Sequence, residues 1–449
     1  MPRRRQLSPP QLLALSISAL ILLGGLLLWL PVSAPPGRSL SLVNALFTAT
    51  SAVCVTGLVV VDTPHDLSLF GQAVVLVLIQ LGGLGYMTIS TVLAAAFGRA
   101  ITLQERLTLQ EALNVHDLEG LVRFAGTVLK LTLFFELTGA TILAVRWWSD
   151  LGPAQAMWFG LFHAVSAFNN AGFALWSDSL VRWNTDVTVN GVISVLIILG
   201  GLGFFVINEL LRLRHRVTMS MHTRLALTSS AVLVVGGTLA ILALEWHNPG
   251  TLGGLAPADR VMAAWFQAVT ARTAGFNTLD IAALGPATLF LIMALMFIGA
   301  SPGGTGGGVK TTTFSVTVAA LWATVRGDQE PVLFGRRIST ETVARAFFVS
   351  LIAFLALNSA AGIVLIMERR PLMETLFETT SAFATVGLSL GSPGSPLSLV
   401  GGFGAVGKIL IVGLMFMGRV GPLTLAFALA RRGSLRARIR YPEGKVLIG

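Results

Sequence analysis

Long apolar runs alternate with shorter ones along this chain, and arginine-rich bands separate them. The long runs cover about 12–31, 70–96, 124–147, 188–211, 225–245, 284–298 with a continuation after 310, 345–367 and 402–430. About 20 residues at 1.5 Å each cross the hydrocarbon of a bilayer, so the pattern predicts eight spanning helices with both termini on one side. The first run is kept as a span, although Ser33-Ala34 would suit a cleavage site, because the repeats described next need it. After each odd-numbered run comes a short apolar segment that stops too early to cross and reads as a re-entrant half-helix.

The four short segments resemble one another. They read LFTATSAVCVTG (46–57), LFHAVSAFNNAG (161–172), WFQAVTARTAG (265–275) and LFETTSAFATVG (376–387). Each holds a phenylalanine, a Ser or Thr four residues later and a closing glycine. The phenylalanines, Phe47, Phe162, Phe266 and Phe377, recur every 104 to 115 residues. One such run would be ordinary, since small residues let membrane helices pack closely. Four in the same place within a helix–short helix–helix frame make an internal repeat. The expected fold is an all-α integral membrane protein of four tandem helix–pore-loop–helix repeats around a pseudo-fourfold axis. The divisions are an N-terminal segment 1–11, repeats over 12–98, 99–211, 212–325 and 326–430, and a C-terminal segment 431–449. The second and fourth repeats include the loops that precede them.

Composition agrees. Of 449 residues, 54% are hydrophobic and 12% charged, about half the charged share of soluble domains. The net charge of +10 does not indicate nucleic acid. The positives lie between apolar runs, at Arg3 to Arg5, Arg99 to Arg123, Arg212 to Arg224, Arg326 to Arg345 and Arg431 to Arg440, as the positive-inside rule places cytoplasmic loops. The bands put both termini in the cytoplasm of a multi-pass protein in the cell membrane. A single cysteine, Cys54, argues against a cysteine-ligated metal site.

Four glycine-ended loops suit a cation. Non-helical backbone persists at membrane depth only where it is buried in protein or lines a watery path. There its carbonyls replace an ion's hydration shell. The half-helices also direct their negative C-terminal ends to the centre. The expected filter carbonyls are those of Cys54, Val55, Thr56 and Gly57; Asn169, Asn170, Ala171 and Gly172; Arg272, Thr273, Ala274 and Gly275; and Ala384, Thr385, Val386 and Gly387. Val55, Asn170, Thr273 and Thr385 cannot form one shared set of side-chain ligands, so the backbone must do the binding. Arg272 is expected to point away and brace the outer mouth, against Asp280. Glu378 is matched by Thr48, His163 and Gln267, so no carboxylate ring for a divalent ion arises.

These segments, with GGTGGGVKTTT (303–313), resemble the Trk/Ktr/HKT superfamily of potassium transporters, and the length is similar to its eight-helix KtrB-type membrane subunit. The resemblance covers about residues 40 to 430. It implies potassium uptake, sodium-stimulated in some members. It also implies a homodimer and a cytosolic ring of nucleotide-binding regulatory subunits (KtrA/TrkA-like), so any nucleotide belongs to the partner. No covalent cofactor and no enzyme chemistry are expected.

The stretch 300–313, ASPGGTGGGVKTTT, is a near miss for a phosphate loop, because Val309 separates Gly308 from Lys310. Pro302 and six glycines within 299–309 cannot hold a regular helix. By resemblance this is the break in the second helix of the third repeat, a gate below the filter made of Gly303, Gly304, Thr305, Gly306, Gly307, Gly308 and Lys310. Lys310 either snorkels to the cytoplasm or sits in the path. Arg419 lies deep in the last span, where an arginine marks a functional site by default; by resemblance it sets a barrier below the filter or anchors the loop at 303–309. Glu136 and Glu209 read as packing or interface residues, with Lys130 about two turns from Glu136. Gly82-Gly83-x-Gly85 and Gly200-Gly201-x-Gly203 read as close helix packing. Three alternatives stand beside this reading. They are a sodium-permeable or weakly selective relative, a secondary transporter with broken helices in two inverted repeats, and an enzyme using the glycine loop.

Overall fold

The computed structural model describes residues 8–85, 121–213, 218–391 and 396–429. The expected C-terminal segment 431–449, most of the basic band from Arg99, Arg3 to Arg5 and the second half of the run 70–96 lie outside them. The described chain runs α1 (Pro9–Trp29), α2 (Leu42–Val53) and α3 (Leu69–Leu84), then α4 (Leu121–Leu151), α5 (Pro153–Phe168), α6 (Val187–Leu202) and α7 (Phe204–Arg212). It continues through α8 (Met221–Glu245), α9 (Pro257–Thr270), α10 (Pro286–Phe297) and α11 (Thr311–Arg326) to α12 (Thr340–Glu368), α13 (Leu372–Ala384), α14 (Ala405–Val420) and α15 (Pro422–Leu429). A small hairpin pairs Val332 with Arg337 and Leu333 with Arg336 inside the basic band 326–345.

The order is outer helix, short helix, inner helix, four times over. Outer helices α1, α4, α8 and α12 are the four described helices that are, by themselves, long and apolar enough to cross a membrane. The short helices begin where local chemistry allows it. Ser41 Oγ accepts from Asn44 N–H at 3.2 Å to cap α2. Pro153 and Pro257 open α5 and α9, positions where a missing N–H leaves nothing unpaired. Each short helix is anchored by its repeat phenylalanine: Phe47, Phe162, Phe266 and Phe377 are all fully buried.

The inner helices depart from the straight spans expected over 188–211 and 402–430, because they break at glycines. Between α6 and α7 the axis bends by 98° at Gly203, whose φ is 94°. Gly421, at φ 91°, separates α14 from α15, and Gly85, at φ 74°, closes α3. Other residues disfavour this backbone region. In the third repeat the break widens into residues 298–310, between α10 and α11. A count of eight spans therefore takes α6 with α7, α10 with α11 and α14 with α15 as one crossing each.

Glycine also sets how closely inner and short helices approach. A β-carbon on Gly82 would collide with the carbonyl oxygen of Val53, one on Gly200 with that of Phe168, and one on Gly418 with that of Phe383. The inner helices thus press backbone to backbone on the C-terminal ends of the short helices. The Gly418/Gly421 copy repeats the spacing of Gly82/Gly85 and Gly200/Gly203 and escaped the sequence reading because Arg419 replaces the second glycine.

This packing generates a paired prediction. Gly200→Ala should lower stability by about 2 kcal/mol through overpacking. Gly191→Ala lies on the same helix facing open space, and should be neutral or stabilising by up to about 1 kcal/mol. Thermal unfolding of the purified protein in detergent checks the pair; equal shifts would refute the packing account.

Candidate functional site

The four glycine-ended loops meet. A β-carbon on Gly57 would lie 3.0 Å from Gly172 Cα, one on Gly172 3.0 Å from Gly275 Cα, one on Gly275 3.2 Å from Gly387 Cα, and one on Gly387 3.0 Å from Gly57 Cα. The same added atoms would strike the carbonyl oxygens of Ala171, Ala274, Val386 and Thr56, each belonging to the next loop. Contacts that run 57 to 172 to 275 to 387 and back to 57 describe a closed ring. All four glycines have positive φ, from 70° to 94°, so a side chain there would be strained as well as obstructed.

Two residues before each glycine, φ is positive again: Val55 at 58°, Asn170 at 59°, Thr273 at 80° and Thr385 at 51°. Alternating the sign of φ turns successive peptide planes in one sense, which lets neighbouring carbonyls face the same side. For non-glycine residues this geometry costs about 1–3 kcal/mol each, and it persists where the surroundings enforce it. The repeated hydroxyl supplies part of that enforcement. Ser51, Ser166 and Thr270 donate to the carbonyls of Leu58, Phe173 and Phe276 at 2.8, 2.8 and 2.6 Å. Ser51 and Ser381 accept from the N–H groups of Gly57 and Gly387 at 3.1 and 3.0 Å. The Ser or Thr noted in each sequence copy is therefore the strut that holds the loop end.

The first residues of the four stretches, Cys54, Asn169, Arg272 and Ala384, lead to different neighbours. Asn169 Nδ2 donates to Glu136 Oε1 at 2.8 Å and to Gln80 Oε1 at 2.9 Å. Arg272 does not meet Asp280, contrary to the sequence expectation. Its guanidinium points to the carbonyls of Ser230 and Gly299, both at 3.4 Å. It lines an apolar cavity of about 270 Å³ walled by Ile197, Leu202, Leu227, Val234 and Trp265. The exposed Asp280 instead caps a short turn by accepting from Ala282 N–H at 3.0 Å. Arg272 thus turns to two carbonyls beside an apolar cavity, while the Asp280 carboxylate is held by its own turn. Glu378 is occupied locally, accepting from Val400 N–H at 2.9 Å and Ser389 Oγ at 2.7 Å. His163 Nε2 accepts from Leu175 N–H at 3.2 Å.

Directly against the ring lies the glycine-rich stretch. Its ends pair with each other, Gly299 N–H to Val309 O at 2.9 Å and Val309 N–H to Phe297 O at 3.2 Å. Its middle takes hold of the second repeat: Ser301 and Thr305 donate to the carbonyls of Gly201 and Gly200 at 2.9 and 3.0 Å, while Phe204 donates to Gly303 O at 3.1 Å. Thr305 Oγ1 is 3.2 Å from the Asn170 side-chain amide. A β-carbon on Gly306 would collide with Thr273 Oγ1, and one on Gly307 with Thr385 Oγ1. Three successive loop residues thus abut the positive-φ residues of three loops. The stretch is mostly buried, with Thr305, Gly306 and Gly307 inaccessible, which is unlike a solvated turn.

Arg419 clamps this arrangement. It donates to the carbonyl oxygens of Thr305 and Gly82, and to Gly83 O at 3.1 Å. It therefore ties the glycine stretch of the third repeat to the inner helix of the first. Lys310 Nζ donates to Gly306 O at 2.6 Å, a staple within the loop. Gly304 and Gly308 complete the bend, Gly308 with φ 70°. Among acidic residues, Glu209 accepts from Ser220 Oγ at 2.7 Å and joins α7 to the start of α8. Glu136 is 3% exposed and Lys130 is exposed, and Glu136 meets Asn169 and Gln80. Sequence reasoning could not find that link, since Glu136 and Asn169 are 33 positions apart on different helices.

Residues 14–434 match the family model TrkH, described as a cation transport protein. The chain is 41% identical over 442 residues to the Ktr system potassium uptake protein B of Bacillus subtilis, covering 98% of this chain and 97% of that protein. It is 38% identical over 451 residues to the potassium/sodium uptake protein NtpJ of Enterococcus hirae, covering 99% and 98%. The solved structure of the potassium transporter TrkH from Vibrio parahaemolyticus superimposes with a TM-score of 0.74 at 17% identity, over 96% of this chain and 86% of that one. A fourfold helix–loop–helix architecture and a family match over nearly the whole length lead to one assignment: the chain belongs to the TrkH family of cation transport proteins.

Proposed function

We propose that this chain carries potassium into the cell through a filter formed by the carbonyls of 54–57, 169–172, 272–275 and 384–387. The observation that carries the reading is the closed ring of Gly57, Gly172, Gly275 and Gly387, in which backbone meets backbone with no side chain between. Such a ring offers oxygens of one kind from four sides, the chemistry that replaces a monovalent cation's hydration shell. The C-terminal ends of α2, α5, α9 and α13 add negative potential. The names of the relatives, potassium uptake proteins and one potassium/sodium uptake protein, support the substrate class.

The stretch 303–308 with Lys310 is the gate, held shut beneath the filter by Arg419. The contacts of Thr305, Gly306 and Gly307 with three of the four loops support this. The functional unit is a homodimer with both termini in the cytoplasm, governed by a nucleotide-binding cytosolic ring. The word "system" in the relatives' names supports a partner subunit. Sodium stimulation belongs to the same reading as a property to measure.

Flux from proteoliposomes under potassium, rubidium, sodium and lithium gradients tests the function. Preference for potassium and rubidium is expected; equal sodium flux would move the assignment to the sodium-permeable reading. Gly275→Ser would force a side chain onto a backbone at φ 81° against Val386 O. Strain of about 1–3 kcal/mol should lower the potassium-over-sodium permeability ratio by about tenfold, and an unchanged ratio would count against the filter assignment. For the gate, Arg419→Ala and deletion of 303–309 should each raise rubidium flux severalfold. Unchanged flux in a folded, inserted protein would sink that role.

A further inference from the structure

Glu136 occupies the middle of the 31-residue helix α4, where a carboxyl group is expensive and where packing alone would be served by leucine. Both its oxygens are used: Oε1 accepts from Asn169 Nδ2 at 2.8 Å and Oε2 from Gln80 Nε2 at 3.0 Å. Gln80 Oε1 accepts in turn from Asn169 Nδ2 at 2.9 Å, closing a triangle. The Asn169 amide has two hydrogens and already has Val165 O at 2.9 Å and Gln80 within reach. Pairing the two amide hydrogens of Asn169 therefore does not require Glu136. What the carboxyl group adds is a third pull on that amide, directed away from the ring and toward the outer helix.

The slot is tight on its other side. A β-carbon on Gly83 would collide with Asn169 Oδ1 and lie 2.9 Å from Asn169 Cβ. Gly83 O in turn receives Arg419. Asn169 is consequently held between α4 and the inner helix of the first repeat, and Asn170, the next residue, carries the positive φ and touches Thr305.

We propose that Glu136 is a positioning residue for ion selectivity: through Asn169 it fixes the backbone of the second filter segment. The inference rests on the filter reading above. Replacing Glu136 with Gln would exchange one acceptor for a donor facing the donor of Gln80, opening the triangle while keeping volume.

The experiment is a double-mutant cycle read as the potassium-over-sodium permeability ratio in proteoliposomes. Glu136→Gln should lower the ratio by about fivefold, the scale of one lost internal hydrogen bond, and should change it by less than about twofold in an Asn169→Ala background. A folded Glu136→Gln protein with the wild-type ratio overturns the inference. So does an equal loss in both backgrounds, because the carboxyl group would then act without Asn169. Should Glu136→Gln fail to fold, Gln80→Met removes another corner of the triangle and must lower the ratio in the same way; a folded Gln80→Met protein with an unchanged ratio also overturns it. A wild-type chain that shows no selectivity overturns the filter reading and this inference together, whereas a selective wild type with an indifferent Glu136→Gln overturns this inference alone.

Discussion

Everything at the centre of this protein depends on four backbones touching where no side chain stands between them. At Gly57, Gly172, Gly275 and Gly387 the Cα of one loop faces the Cα and preceding carbonyl of the next. That approach dictates its surroundings. Each loop must turn sharply, which places Val55, Asn170, Thr273 and Thr385 in the left-handed region. Strain of about 1–3 kcal/mol per residue must be offset nearby. Each repeat buries a phenylalanine completely, which holds the short helix by van der Waals packing. Each repeat also places a Ser or Thr hydroxyl on the loop end. Strain, anchor and strut recur together because none of the loops could hold its shape without the other two.

The third inner helix raises a second problem of the same kind. The non-helical residues 298–310 carry polar groups that hydrocarbon cannot satisfy. Gly200 and Gly201 meet part of that demand, since bending the second inner helix at Gly203 leaves their carbonyls free for Ser301 and Thr305. Arg419 serves the carbonyls of Thr305, Gly82 and Gly83. One break is thus accommodated by another. Neutral hydrogen bonds of this sort contribute about 1 kcal/mol each. A segment held by a few of them and by one cation depends on that cation: Arg419 alone joins the glycine stretch and α3 to α14 through these carbonyls.

Much of the architecture was legible because it is written four times. The phenylalanine, the hydroxyl residue and the terminal glycine recur at one spacing, and repetition separates a signal from the background of small residues in membrane helices. The ring follows from the same letters, since only glycine permits both the turn and the contact. What stayed hidden is chiefly the choice of partner and the direction of the chain. Arg272 was assigned to Asp280 on charge alone, but a carboxylate already capping its own turn was a worse partner than two carbonyls beside a cavity. Lys310 offered two roles from its position, and its contact with Gly306 O is a local one that sequence position does not specify. The breaks at Gly203 and Gly421 were masked by continuous hydrophobicity, which reports burial in lipid and is indifferent to direction.

The unrepeated features have a common logic. Four equal backbone segments make a symmetric ring, and a symmetric ring has no reason to respond to one side more than another. Asymmetry enters at the first residue of each segment and at the residue after it. Asn169 runs to Glu136 and Gln80, Arg272 to the base of the glycine stretch at Gly299, and Ala384 carries no polar group at all. At the next position Asn170 meets Thr305, while Thr273 and Thr385 face Gly306 and Gly307. A single glycine stretch, present in one repeat of four, can contact a fourfold ring only if the ring offers it unlike surfaces. The side-chain differences that rule out a shared ligand set are, on this account, what lets an asymmetric element engage a symmetric ring.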